Sequence, residues 1–362
     1  MHPINDFIYE ALPARVLFGA GRLREVRQEV ERLGGRRALV LSTPHQAELA
    51  QTVVELLGEV CVGLHDQAVM HVPSETVEAA MQQVTTLQAD MLVALGGGST
   101  IGLAKGIALE TGLPILAIPT TYAGSEMTPI WGLTKAGRKT TGQNPVVKPR
   151  TVIYDPQLVM TLPSAMSVTS GMNAMAHAVE GLYAENANPI TSIMAEESIR
   201  ALAQGLPLVR QNPGDLEARS QTLYGAWLAA TVLSTVGMAL HHKLCHVLGG
   251  SFNMPHAEVH TVILPQATAY NAGHAPAAMR AIGRALGADP TDAAGAIFDL
   301  SRSMAAPTSL RDLNFAKAQL SEAAAIASQN PYFNPRPITR EGILELLERA
   351  YAGLRPESVA IS

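Results

Sequence analysis

The chain has 362 residues, 47% of them hydrophobic and only 16% charged, with a formal net charge of -5. That is more than one compact domain normally holds, so two domains are expected, each able to bury a core. An acidic balance without a long basic run excludes the electrostatic footprint of a protein that grips nucleic acid or an anionic membrane, and small-molecule chemistry is expected instead.

The opening MHPINDFIYEALPARVLFG carries Asp6 and Glu10 and no basic segment leading into a long apolar stretch, so no secretory signal is expected. No uncharged apolar run reaches the length of a membrane span. The two cysteines, Cys61 in a strand-like run and Cys245 in a helical one, give no disulfide framework and suit a reducing cytoplasm; both read as core residues.

In chain order, RALVLST (37–43), EVCVGLH (59–65), MLVALGGG (91–98), PILAIPTT (114–121) and TVIYD (151–155) read as strands. Between them LREVRQEVERLGG (23–35) and SETVEAAMQQVTTLQ (74–88) have apolar residues at helical spacing, the second opening on Ser74 as an expected N-cap. This alternation is the rhythm of a parallel sheet covered by helices. Near 155–162, in DPQLVMTLP, the texture changes, and from Pro163 to Leu354 long Ala-, Leu- and Met-rich helical segments dominate. The expected organisation is an α/β unit over 1–160 and an all-helical unit over 161–362, with no internal repeat.

Two loops of the α/β unit suit a dinucleotide. The strand MLVAL runs into Gly96, Gly97, Gly98, Ser99 and Thr100 and then into a helical stretch. Glycines at such a turn let a ligand approach the backbone, and the free N–H groups of the helix start suit a pyrophosphate. After the next strand comes Pro119-Thr120-Thr121-Tyr122-Ala123-Gly124-Ser125-Glu126, again at the carboxyl end of a parallel strand. Its Thr120, Thr121 and Ser125 hydroxyls are candidates for phosphate or nicotinamide contacts, and Lys139 for a ribose hydroxyl. Ser42 opens a third such loop, Ser42-Thr43-Pro44-His45-Gln46. That loop has no acid to grip an adenosine ribose, so NADH and NADPH both remain expected cofactors.

Six of the eleven histidines fall between 177 and 260: His177, His241, His242, His246, His256 and His260. His242 and His246, at i and i+4, lie about 40° apart around a helix of ~3.6 residues per turn and can share a face. Asn173 and His177 stand one turn apart on SGMNAMAHAVE. Convergence of several imidazoles from separate segments serves either a metal or proton transfer. His241 and His260 read as core histidines.

GGGST, PTTYAGSE, SGMNAMAHAVE, LHHKLCHVLGGSFNMPH and NPRPIT, in this order, resemble the iron-containing (group III) alcohol dehydrogenase family over essentially the whole chain. The resemblance implies a Rossmann-like NAD(P) domain, an all-helical C-terminal domain, an active site in the cleft between them and a homodimer formed through the N-terminal domain, around ARVLFG (14–19). It places Gly96, Gly97, Gly98, Ser99, Thr120, Thr121 and Ser125 at the dinucleotide. Asn173, His177, His242 and His256 match the family's metal ligands, with His246 beside the substrate.

The family's dehydrogenases have an aspartate where this chain has Asn173, and their PTTAGTGSE loop is one residue longer than PTTYAGSE. Losing the only anionic ligand weakens a divalent iron or zinc site. These departures resemble the maleylacetate reductase branch, whose members reduce a conjugated carbon–carbon double bond in the breakdown of aromatic compounds. Hydride addition to an enone puts charge into an enolate that imidazole donors can hold without a metal, and a second His can protonate the adjacent carbon. The expected enzyme is therefore an NAD(P)H-dependent reductase of a small dicarboxylate with no metal required. His242, His246, His256, His177, Asn173 and Tyr122 are its catalytic candidates, and Lys243 and Arg336 further carboxylate anchors. A metal-dependent alcohol dehydrogenase acting on a small alcohol or aldehyde and a non-catalytic dinucleotide-binding protein are the alternatives.

Overall fold

The computed structural model describes residues 7–12, 14–135, 138–329 and 332–361, and of residues 138 and 139 the backbone alone. The chain divides into two compact units: one runs from Ala11 to Leu162, and the other from Pro163 to the C-terminus together with the described residues before Ala11. The division falls two residues beyond the expected one, and the early segment groups with the helical unit, which no local pattern announces.

The α/β unit contains, in order, β1 (Arg15–Phe18), α1 (Val26–Arg32), β2 (Ala38–Leu41), α2 (Ala47–Leu57), β3 (Cys61–His65), α3 (Ser74–Thr86), β4 (Met91–Gly96), α4 (Gly98–Thr111), β5 (Ile115–Pro119), β6 (Ile130–Lys135), β7 (Arg138–Gln143) and β8 (Thr151–Tyr154). Ser74 is the first residue of α3; the cap position is Pro73, so the serine does not cap it. Six strands pair in the order β1-β8-β5-β4-β2-β3, all parallel. Strands β2, β4, β5 and β8 are buried at every position, because helices cover both faces.

Alternate residues feed two cores. Leu39, Leu41, Leu92 and Ala94 meet α3 and α4 residues such as Val77, Ala80 and Ile101, whereas Ala38, Val40, Met91, Val93 and Leu95 meet Val26 and Val30 of α1 and Val53 and Leu57 of α2. The chain runs outward from β2 to β3 and returns through β4 to β5, so β2 and β4 flank the point where the strand order reverses. Open parallel sheets bind ligands at the carboxyl ends of strands at such a point. The antiparallel hairpin β6–β7 is an addition that the sequence pattern does not announce.

The helical unit comprises α5 (Ser164–Gly181), α6 (Pro189–Gln211), α7 (Leu216–Thr235), α8 (Leu240–Phe252), α9 (His256–Asn271), α10 (Pro276–Leu286), α11 (Ala293–Ser303), α12 (Leu320–Ala327) and α13 (Arg340–Ala352). Every residue of α5 from Gly171 to Gly181 is buried, so α5 is its central helix. A Cβ on Gly181 would collide with Val232 of α7, which sets the close approach of these helices. Gly181→Ala is expected to destabilise the fold by about 1–3 kcal/mol through overpacking, read from the urea midpoint. Among the described residues, no single helix is long and apolar enough to cross a membrane.

Candidate functional site

Within the helical unit, three helices bring the six histidines into one continuous set of ring contacts. On α5, Asn173, His177 and Glu180 are spaced four and three residues apart and so share a face. On α8, His242 and His246 lie 6.3 Å apart between ring centroids. His256 is the first residue of α9, and His260, one turn later, is 4.4 Å from it. Across the helices His242 sits 5.0 Å from both His177 and His260, and on its own helix 5.2 Å from His241.

The rings are graded in exposure. His246 and His256 are exposed, His177 and His242 are 4% and 7% exposed, and His241 and His260 are fully enclosed. The last two are indeed core histidines, with His241 Nε2 2.9 Å from His260 Nδ1, yet they back directly onto the others. Burial holds His177, His241 and His260 well below the usual imidazole range, and the neighbouring rings push in the same direction. Asn173 Oδ1, His177 Nδ1 and His242 Nε2 are enclosed polar atoms without a protein partner, which suits a site that takes a polar ligand.

Glu180, which the sequence reading passed over, is fully buried beside these rings. Its Oε2 lies 2.7 Å from His242 Nδ1 and accepts the Ala239 N–H at 2.9 Å, and its Oε1 accepts the His241 N–H at 2.7 Å. The carboxylate therefore caps the start of α8 and holds the His242 ring at once. A charged residue inside SGMNAMAHAVE, one turn after His177, was the available signal. Of the two further cationic candidates, Arg336 lies 4.1 Å from the Tyr270 ring centre and Lys243 5.6 Å from that of Tyr332.

The family resemblance relates four of these positions, Asn173, His177, His242 and His256, to a metal. Asn173 offers a neutral amide in place of an anionic ligand, His256 is exposed, and the His177 and His242 rings stack at 26°. Among the described residues the one set of three His, Cys, Asp or Glu ligand atoms within 4.8 Å of one another is His241, Cys245 and His260, which includes none of His177, His242 and His256. As placed, the ligand atoms of His177, His242 and His256 are not all within 4.8 Å of one another, and the fourth position supplies an amide oxygen, a weaker donor to divalent iron or zinc than a carboxylate.

In the α/β unit, Gly96 ends β4 at φ +150, and a side chain there would collide with Thr100. Gly97 caps α4 with no side chain bonded to the helix start, and Gly98 is exposed with open space where a Cβ would stand. This cradle fits a pyrophosphate on the free N–H groups of α4. The second loop is tied to the first by the Thr120 N–H on Gly96 O at 3.2 Å, and to the third by Gln46 Nε2 donating to Thr120 Oγ1 at 2.8 Å. Ser99 and Thr121 are partly exposed; Thr100 and Ser42 are fully enclosed with unpartnered hydroxyls, and Tyr122 is fully buried. Lys139 pairs with Thr134 in the hairpin, and its side chain lies outside the described residues.

Lys105 of α4 was also missed. Fully buried, its Nζ donates to Ser125 O, Ser125 Oγ, Thr128 Oγ1 and Ile130 O at 2.6 to 3.1 Å, fastening the second loop to the helix of the first. Burial brings it down to about 7, against the pull of nearby Glu126. Glu126 itself is raised by burial and accepts the Tyr154 hydroxyl at 2.7 Å.

Residues 13–156 match the family model described as iron-containing alcohol dehydrogenase, and residues 167–351 that of its C-terminal domain. The chain belongs to the iron-containing alcohol dehydrogenase family. Within this family it is 55% identical to a maleylacetate reductase of Sphingobium indicum, over 97% of this chain and 99% of that one. It is 54% identical to one of Burkholderia cepacia, over 98% and 100%. The crystal structure of maleylacetate reductase from Agrobacterium tumefaciens superposes with a TM-score of 0.94 at 48% identity, covering 98% of this chain and 100% of that one.

Proposed function

We propose that the chain reduces the carbon–carbon double bond of maleylacetate to give 3-oxoadipate, with NADH or NADPH as the reductant. The end-to-end similarity to maleylacetate reductases carries this reading. Asn173, a neutral amide where the family's dehydrogenases have an anionic ligand, supports it.

The first loop would take the pyrophosphate on the N–H groups of Gly97 and Gly98, with Ser99, Thr120, Thr121 and Ser125 as the hydroxyl contacts. When bound, the reduced nicotinamide supplies a hydride. Delivered to the alkene carbon remote from the ketone, that hydride sends an electron pair into the carbonyl as an enolate, and a proton on the adjacent carbon completes the reduction. The chain must therefore hold an oxyanion, move one proton and accommodate two carboxylates.

His177, kept neutral by burial, and Asn173 supply hydrogen bonds to orient the substrate. His242 Nε2 meets a substrate polar group from an enclosed position. The exposed rings of His246 and His256 can exchange protons with solvent and so are the ones that can be recharged between turnovers. No step passes through a metal. Two unpaired thiols agree with a cytoplasmic setting. Strand β1 pairs with β8 along one side and ends the order of the sheet, so it is one of two edge strands, and the one around ARVLFG through which two chains would pair in a homodimer.

The test follows oxidation of NADH and NADPH by purified protein with maleylacetate and with simple aldehydes, before and after chelation. Turnover with maleylacetate that survives chelation is expected. Turnover confined to aldehydes, or lost with a stoichiometric metal, would replace the reading with that of a metal-dependent alcohol dehydrogenase.

A further inference from the structure

We infer that Glu180 is a positioning residue that fixes the tautomer and the aim of the His242 ring. It rests on the reductase reading only in taking His242 to be a working ring. Both carboxylate oxygens are committed as acceptors by groups that can only donate: the Ala239 N–H on Oε2 and the His241 N–H on Oε1. The His242 Nδ1 at 2.7 Å from that same Oε2 must therefore carry its hydrogen and donate it. The other nitrogen, Nε2, faces the opposite way, enclosed and without a protein partner. Its lone pair is what a neutral His242 presents to the substrate.

The ring contacts of His242 do not set this choice. The rings of His177, His241, His246 and His260 surround His242 by stacking and edge contact, which constrain its plane without deciding which nitrogen is protonated. With Glu180 removed, the ring is free to exchange tautomers and turn about its Cβ–Cγ bond. A wrong tautomer places an N–H where the reaction needs a lone pair, or the reverse.

The experiment records long-range 1H–15N spectra of the full-length protein labelled with 15N-histidine, with the His242 signals identified from the spectrum of His242→Gln. The wild type is expected to show His242 protonated at Nδ1 and bare at Nε2. Glu180→Met removes the acceptor and is expected to shift the ring toward the Nε2–H form, with kcat on maleylacetate lowered about 10- to 100-fold and KM for NADH nearly unchanged. Glu180→Gln keeps one acceptor oxygen and is expected to restore the Nδ1–H form and much of kcat. An Nε2–H tautomer in the wild type would overturn the inference without any variant having to fold. So would a Glu180→Met protein whose kcat drops while its His242 tautomer stays as in the wild type, since Glu180 would then act only as a helix cap. The spectra need no substrate, so they decide this point separately from the maleylacetate assay.

Discussion

In the His242→Ala variant, kcat for maleylacetate is expected to fall by about 10²- to 10⁴-fold, the range of a lost acid–base group, while KM for NADH or NADPH stays nearly unchanged. The ring stands at the centre of the cluster, touching His177, His241, His246 and His260, and its Nε2 is one of the enclosed atoms that the protein leaves unpartnered. Truncation removes that atom and also the donor that Glu180 Oε2 meets, so a buried carboxylate loses one of its partners. The dinucleotide loops belong to a separate compact unit, which is why cofactor affinity is the internal control. His246→Ala is expected to lower kcat in the same direction. Steady-state kinetics on both variants decide the matter: full turnover in each would remove these rings from the mechanism.

Lys105→Met is expected to raise KM for NADH or NADPH and to flatten the dependence of stability on pH. The methionine keeps the length of the side chain but leaves the carbonyls of Ser125 and Ile130 without their donor, at a cost of about 1–3 kcal/mol for each such buried group. In the wild type this lysine is lowered from an ordinary 10.5 to about 7, with burial as the main cause. Between those values the unfolded chain binds the proton and the folded one does not. Wild-type stability should therefore rise as pH increases across that window, by at most about 1.4 kcal/mol per unit. Lys148, lowered by burial to about 8, acts in the same sense. Consequently the gap between wild type and Lys105→Met should widen from about pH 7 toward pH 10. Urea midpoints measured across that range check it, and parallel curves would show that the lysine's burial does not govern stability.

Much of the architecture was legible because it is written in local periodicity. Runs such as MLVALG are apolar at every position since both faces of a parallel strand are covered, and β2 to β5 and β8 all lie within the predicted segments. The hairpin escaped notice for the opposite reason: Ile130–Lys135 is half-buried without strict alternation, and Arg138–Gln143 is polar, so only their mutual pairing defines them. The glycine loop was readable from its composition, whereas Gln46 and Lys105, which brace the second loop, were not. A glutamine or a lysine in isolation looks like surface.

By itself the sequence determined the parallel sheet, the helical second half, the two loops that follow β4 and β5, and the clustering of histidines on α5, α8 and α9, all set by spacings of a few residues. What only the tertiary structure decided is which polar atoms face one another. His242 and Glu180 are 62 residues apart, and Lys105 reaches acceptors 20 to 25 residues away. Burial makes these pairings obligatory, because an enclosed charge must find its partner, but the partner is supplied by helix packing that no local pattern encodes.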